Sequence, residues 1–142
     1  MNKRLSVKAN IDIDSKIELV WDALVNPEKI KIYLFGTETI SDWKPESEII
    51  FQGEYQGQKY KDKGIIKELK ANEIFSYTYW SGFSGMEDIA ENYSLITFKM
   101  KIVNNKIILD VVQTGFADEK AYQHSSGAWN NILKQIKEIC EV

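Results

Sequence analysis

A chain of 142 residues fits one domain, and folding at that length buries roughly 68–70% of the unfolded surface, enough for a sizeable core. Hydrophobic residues make up 44% and charged residues 27%, with 2 prolines and 8 glycines, a globular composition that excludes a disordered or low-complexity chain. The net charge of −3 arises from 21 acids and 18 bases mixed along the sequence, so no basic stripe is available for nucleic acid. The single Cys140 excludes an internal disulfide, and Lys3, Arg4 and Lys8 interrupt any secretory apolar stretch, which makes the cytoplasm the expected address. No window reaches the ~18 apolar residues of a membrane span.

Residues 4 to 13 alternate Leu5, Val7, Ala9, Ile11 and Ile13 with Ser6, Lys8, Asn10 and Asp12, the period of a half-buried strand. Ile17, Val20, Trp21 and Leu24 then take helical spacing, and Ser15 with Glu18 has the form of a capping box. Asn26-Pro27 closes this helix and opens a second, short one, with Asn26 as N-cap, Pro27 at the first helical position and an end near Gly36. Six strands are expected next, at 37–43, 48–56, 59–70, 73–81, 93–103 and 106–115, the last two joined by a tight Asn104-Asn105 turn. Such a meander is antiparallel, with one face apolar and one wet.

The covering element is C-terminal. Tyr122, Ser126, Trp129, Leu133, Ile136 and Cys140 follow helical spacing, and Ile132 and Ile139 widen the stripe. A helix of about twenty residues is about 30 Å long, comparable to the sheet it must cover. The fold class is therefore α+β: a curved antiparallel sheet wrapped around a long C-terminal helix, with two short helices after the first strand. A curved sheet gripping one helix can enclose a cavity.

The densest aromatic stretch is IFSYTYWSGFSG, residues 74 to 85. Alternation places Phe75, Tyr77 and Tyr79 on the inward face and Ile74, Ser76, Thr78 and Trp80 on the other. Two inward phenols need hydrogen-bond partners, because leaving one unpaired costs about 1–3 kcal/mol. The partner is either protein at the edge of a core or something held in a cavity. Candidate ligand-contacting residues are Phe35, Phe51, Phe75, Tyr77, Tyr79, Phe83, Phe98, Gln113, Tyr122, Trp129 and Leu133. The segment Ser81 to Asn92 lacks periodicity and, with Gly82 and Gly85, is a candidate lid.

Catalytic chemistry has few candidates. His124 is the only histidine and reads as a surface residue, so no catalytic residue, metal ligand set or cofactor is expected. Cys140 falls on the apolar stripe, where it reads as a small buried hydrophobe. Glu87, Asp88 and Glu91 lack calcium-loop spacing and read as solvated loop charge. Only tyrosines, Gln113 and Glu54 offer acid or base groups for an inward-facing site.

Several strings in the right order resemble the START-like, helix-grip (SRPBCC) superfamily. Within it they resemble the homologues of the activator of the 90-kDa heat-shock-protein ATPase. Val20-Trp21-Asp22-Ala23-Leu24 with Asn26-Pro27-Glu28 looks like the family's "vWdALtdPe" segment. Gly64-Ile65-Ile66 leading to Phe75-Ser76-Tyr77-Thr78-Tyr79, then Thr114-Gly115-Phe116 and Ser126-Gly127-Ala128-Trp129 with Leu133, are similar to later family segments. The chain departs from the pattern at Tyr79, where tryptophan is common, at Ala128 between Gly127 and Trp129, and at Lys44-Pro45-Glu46-Ser47, where the family often has Gly-Gly. The resemblance covers essentially the whole chain and implies a single domain with a cavity between sheet and terminal helix. It leaves the cargo open; the function expected from the architecture is non-enzymatic binding of a hydrophobic small molecule or lipid. An interaction module acting on a chaperone in the stress response is the alternative, and an aromatic cyclase-type enzyme is third. A monomer or homodimer is expected.

Overall fold

The computed structural model describes all 142 residues. The elements run β1 (Asn2–Ile13), α1 (Ile17–Val25), α2 (Pro27–Tyr33), β2 (Glu38–Ser41), β3 (Glu48–Tyr55), β4 (Gln58–Lys70), β5 (Ile74–Tyr79), β6 (Ser94–Val103), β7 (Lys106–Phe116) and α3 (Glu119–Cys140). The strands form one curved antiparallel sheet in the order β1-β7-β6-β5-β4-β3-β2. The expected class and element order are those observed.

Local chemistry explains the boundaries and two departures. Asn26 caps α2 by accepting from the Glu28 amide at 3.0 Å, with Pro27 behind it. The capping box expected at Ser15 and Glu18 does not form. The N-cap is Lys16, whose carbonyl takes the Leu19 and Val20 amides, and no side chain caps the turn, so Ser15 lies outside the helix. After α2 the Gly36 amide bonds back to the Lys31 carbonyl at 2.8 Å, and Phe35 adopts φ 54° in the left-handed region. The first meander strand is shorter than expected, because Trp43 and Glu46 also take positive φ and bend the chain away after Ser41. Asn104 and Asn105, at φ 51° and 64°, make the tight turn between β6 and β7.

The inward residues of the sheet and the stripe on α3 make one core. Ile13, Ile49, Ile66, Leu109, Leu133 and Ile136 are fully buried within it. α3 runs along β1, and its last turns lie against α1, where Cys140 Sγ approaches the Leu19 carbonyl at 3.7 Å. Lys137 Nζ donates to the Asp12 carbonyl at 2.7 Å, and Glu141 accepts the Asp14 amide at 2.8 Å, fastening the helix end to β1.

Gly64 is the one glycine that the sheet demands for space. A Cβ there would lie 1.6 Å from the Thr78 carbonyl oxygen of β5. At this point the ladder is locally remodelled: Thr78 Oγ1 accepts the Ile65 amide at 2.9 Å, and a bulge follows between Ile66 and Glu68.

Candidate functional site

The inward face of β5 begins a continuous aromatic wall. Phe75 and Tyr77 rings lie 5.0 Å apart, Tyr77 and Phe51 5.5 Å, Phe51 and Tyr79 6.0 Å, Phe75 and Phe98 6.2 Å, and Phe98 and Trp129 5.6 Å. At the C-terminal half of α3 this wall is packed solid, since Leu133 and Ile136 fill the space and are 1% and 0% exposed. The N-terminal half of the same helix carries Ala121, Ser125, Ser126, Gly127 and Ala128 instead. Of these, Ala121 and Ser125 face the end of the sheet, while Gly127 is exposed to solvent. A cleft of about 530 Å3 opens between this half-helix, the end of β7 and segment 81–92, lined by Tyr79, Phe83, Gln113, Phe116, Ala121 and His124 among others.

The floor of the cleft is held by a polar chain. Trp129 Nε1 donates to Gln113 Oε1 at 2.8 Å, Gln113 Nε2 donates to Ser94 Oγ at 3.2 Å, and Ser94 Oγ donates to the Tyr79 carbonyl at 3.3 Å. These bonds fix the Gln113 amide and the Trp129 indole in single orientations.

Tyr79 donates its phenol hydrogen to Asp62 Oδ2 at 2.5 Å. Lys63 bridges to Trp80, so Gly64 lies across from Tyr79, and with no side chain at Gly64 the phenol reaches the next inward residue of β4. Burial first, and the adjacent Asp62 charge second, hold the Tyr79 pKa well above that of an ordinary phenol. Tyr77 is raised by burial alone and has no hydrogen-bond partner. Tyr33, also raised by burial, donates to the Ala23 carbonyl at 2.9 Å.

Segment 81–92 folds as two short 3-10 turns, Gly82–Ser84 and Ala90–Asn92, with Gly85 left-handed at φ 76° between them. It is tied to the outer face. Asp88 pairs with Lys63 at 2.6 Å and accepts from the Tyr93 hydroxyl, and Trp80 Nε1 donates to the Met86 carbonyl at 3.2 Å. The Lys63 hydrogen bond, then the Tyr93 one, lower the Asp88 pKa, while burial and Asp88 push Tyr93 up to about 12. On the inner side Phe83 rests 5.9 Å from Tyr60. No three His, Cys, Asp or Glu side chains come together as a metal site would require.

Larger hollows, of about 690 and 820 Å3, lie on the outer sheet face. Their walls include Lys67, Glu68 and Lys99, a charged surface that lacks the aromatic backing of the cleft.

Residues 14–141 match the family model described as activator of Hsp90 ATPase homolog 1-like protein. The chain belongs to this family. Among solved structures, a Cytophaga hutchinsonii protein determined in solution is 37% identical, with a TM-score of 0.83 over 97% of this chain and 94% of that one. An Aha1 dimer from Colwellia psychrerythraea is 14% identical, with a TM-score of 0.75 and 96% of each chain covered. DynU16, a putative protein in the dynemicin biosynthetic locus, is 7% identical with a TM-score of 0.77 over 94% of this chain and 46% of that one. The last two likenesses show the fold alone. No curated protein sequence matches.

In this AHSA1-like chain the cleft brings together Tyr79, Phe83 and Gln113 of the residues singled out in the sequence. Phe51, Phe75, Tyr77, Phe98, Trp129 and Leu133 are buried behind it as the wall and core. Tyr122 is half-buried against Phe116, their rings 5.6 Å apart and edge to face. Phe35, 75% exposed, is carried outward by the left-handed end of α2 and stands apart from the other ten. Glu54 is exposed on the outward side of β3. The reading by residue type passed over Asp62, which is 8% exposed. Its signal lies in YKDKGII, where Tyr60, Asp62, Gly64 and Ile66 share the inward register while Lys61 and Lys63 take the outward one.

Proposed function

We propose that this AHSA1-like domain binds a hydrophobic small molecule or lipid chain in the cleft between sheet and terminal helix, without converting it. The observation that carries this reading is the difference between the two ends of α3. Leu133 and Ile136 close the core at one end, and Ala121 and Ser125 border an opening at the other, with Tyr79, Phe83 and Phe116 in its wall. Apolar surface buried there contributes about 25 cal/mol per Å2 before the costs of association. Tyr79 and Gln113 border the opening but are already engaged by Asp62, Trp129 and Ser94, which supports a preformed site rather than an acid–base pair waiting for substrate. The direct test is titration with 1-anilinonaphthalene-8-sulfonate, alongside native mass spectrometry of the protein from its own cell. Saturable probe binding that is displaced by extracted lipid is expected; a strictly linear, non-saturable response would sink the reading.

A second reading is an interaction module acting on a chaperone ATPase. The family description supports it, as does an exposed apolar group at α2 and β2, with Ile32 59%, Phe35 75% and Ile40 46% accessible. Pull-down of the purified cellular chaperone by wild type and not by Phe35→Ser is its test. Equal recovery by both proteins, at background, dismisses it.

A further inference from the structure

Two side-chain polar atoms sealed from solvent lack any hydrogen-bond partner, Asp62 Oδ1 and Thr39 Oγ1. Both belong to one row of the inner face. Thr39 pairs with Phe51 across β2 and β3, and Phe51 pairs with Asp62 across β3 and β4. The row therefore reads hydroxyl, aromatic ring, carboxyl, and the ring in its middle is the one that packs on Tyr77 and Tyr79.

A buried carboxyl is ordinarily paired with a cation or with donors for both oxygens. Asp62 has one donor, the Tyr79 hydroxyl on Oδ2, and none of the five ion pairs of the chain includes it. The nearest lysines in sequence cannot serve, because Lys61 and Lys63 take the outward register of β4 and Lys63 is committed to Asp88. Tyr79 thus fixes the carboxyl in place and leaves its second oxygen as an acceptor without a donor. Phe51 on one side and Tyr79 on the other make its surroundings apolar.

We propose that Asp62 Oδ1 is the polar recognition point of the ligand site, taking a hydrogen-bond donor, a hydroxyl or a protonated amine, carried on an otherwise apolar molecule. This rests on the ligand-binding reading above and adds the chemistry of the ligand's head. Asp62 stands behind the cleft wall, on the hydroxyl of Tyr79, whose ring forms part of that wall, so the donor group reaches Oδ1 from the cleft past Tyr79. The ligand's apolar body then lies along the cleft beside Tyr79 and Phe83.

The test compares three probes with one apolar body: 2-naphthol, 2-naphthylmethylamine and 2-methylnaphthalene, each titrated by tryptophan fluorescence. Wild type should bind the hydroxyl or the amine about tenfold or more tightly than the methyl compound, the discrimination expected of a hydrogen bond to a buried charged acceptor. Asp62→Leu should bind all three alike, while Asp62→Asn, with the same shape, should keep a preference for naphthol and lose any for the amine. Thermal melts of both variants establish folding, and the Asn variant decides if the Leu variant does not fold. Saturable binding of all three probes with equal affinity in wild type overturns the role of Asp62 and leaves the cleft reading intact. The absence of saturable binding by any probe overturns both.

Discussion

Tyr79 and Asp62 are bound to each other across the inner face of the sheet at 2.5 Å, over the side-chain-free position of Gly64. Removing the donor with Tyr79→Phe leaves both oxygens of a buried carboxyl unpaired and is expected to destabilise the fold by about 2 kcal/mol. The double variant Tyr79→Phe, Asp62→Leu should lose less than the sum of the single changes, since each alone orphans the other partner. Urea unfolding of the four proteins measures this; strict additivity would contradict the coupling.

Gln113 holds the Trp129 indole and in turn holds Ser94. Gln113→Leu is expected to cost about 1–3 kcal/mol by stranding the Trp129 Nε1 hydrogen. The tryptophan emission spectrum should shift at the same time, which a change acting elsewhere in the core would not produce.

Gly64→Ala is expected to be the most damaging single methyl group in the chain, because the added Cβ meets a backbone oxygen that cannot rotate away. A loss of about 3 kcal/mol or more, or failure to fold, is the anticipated result in a thermal melt. Gly127→Ala, where nothing lies within 4 Å, is the control and should stabilise its helix slightly.

Alkaline pH should unfold the protein earlier than exposed charges alone would. Tyr33, Tyr77 and Tyr79 all have raised pKa values, so above pH ~10 the unfolded chain loses phenolic protons that the native state retains. Stability contributed by these groups is complete below pH ~10 and falls as pH rises, by up to about 1.4 kcal/mol per pH unit for each tyrosine. Urea midpoints between pH 8 and 11 check the slope. A flat profile would show that the phenols titrate freely.

Segment 81–92 should loosen in acid. Asp88, with its pKa lowered by Lys63 and Tyr93, holds the segment above the ordinary carboxyl range and releases it as pH falls through the lowered value. Amide exchange at Met86 to Ile89 should be faster in Asp88→Asn at neutral pH, with global stability little changed, and added salt should reduce the difference.

The sequence made the sheet and helices legible because alternation and helical spacing are separate periods, and the six strands of the meander each carry the first while α3 carries the second. Its shortfalls have local causes. Ser15 has the right chemistry for a cap, yet the first turn closes on the Lys16 carbonyl. Phe35 looks like any other aromatic next to a helix, and only its left-handed backbone turns it to solvent. Within the candidate site, face assignment was available from alternation, which places Phe75, Tyr77 and Tyr79 inward. Which partner each phenol finds was not, because it depends on register: Tyr79 meets Asp62 through the alignment of β4 with β5 around Gly64 and the bulge beyond it. Ala121 and Ser125 at the cleft, against Leu133 and Ile136 in the core, mark the open and filled ends of α3, but Tyr122 between them breaks any simple reading by side-chain size.

The pairing of β1 with β7 constrains the order in which this domain can be assembled. The first strand finds its only sheet neighbour about a hundred residues later, with Asn2 against Phe116 and Ile13 against Ile107, and its covering helix follows β7. On a ribosome adding roughly 5–20 residues per second, the N-terminal strand waits about 5–20 s with its apolar side and its backbone edge unsatisfied. The meander from β2 to β6 can pair during that interval, since each of its strands needs only the one before it. Closure of the domain therefore waits for β7 and α3, and a nascent chain halted before residue 119 would leave the whole inner aromatic wall uncovered.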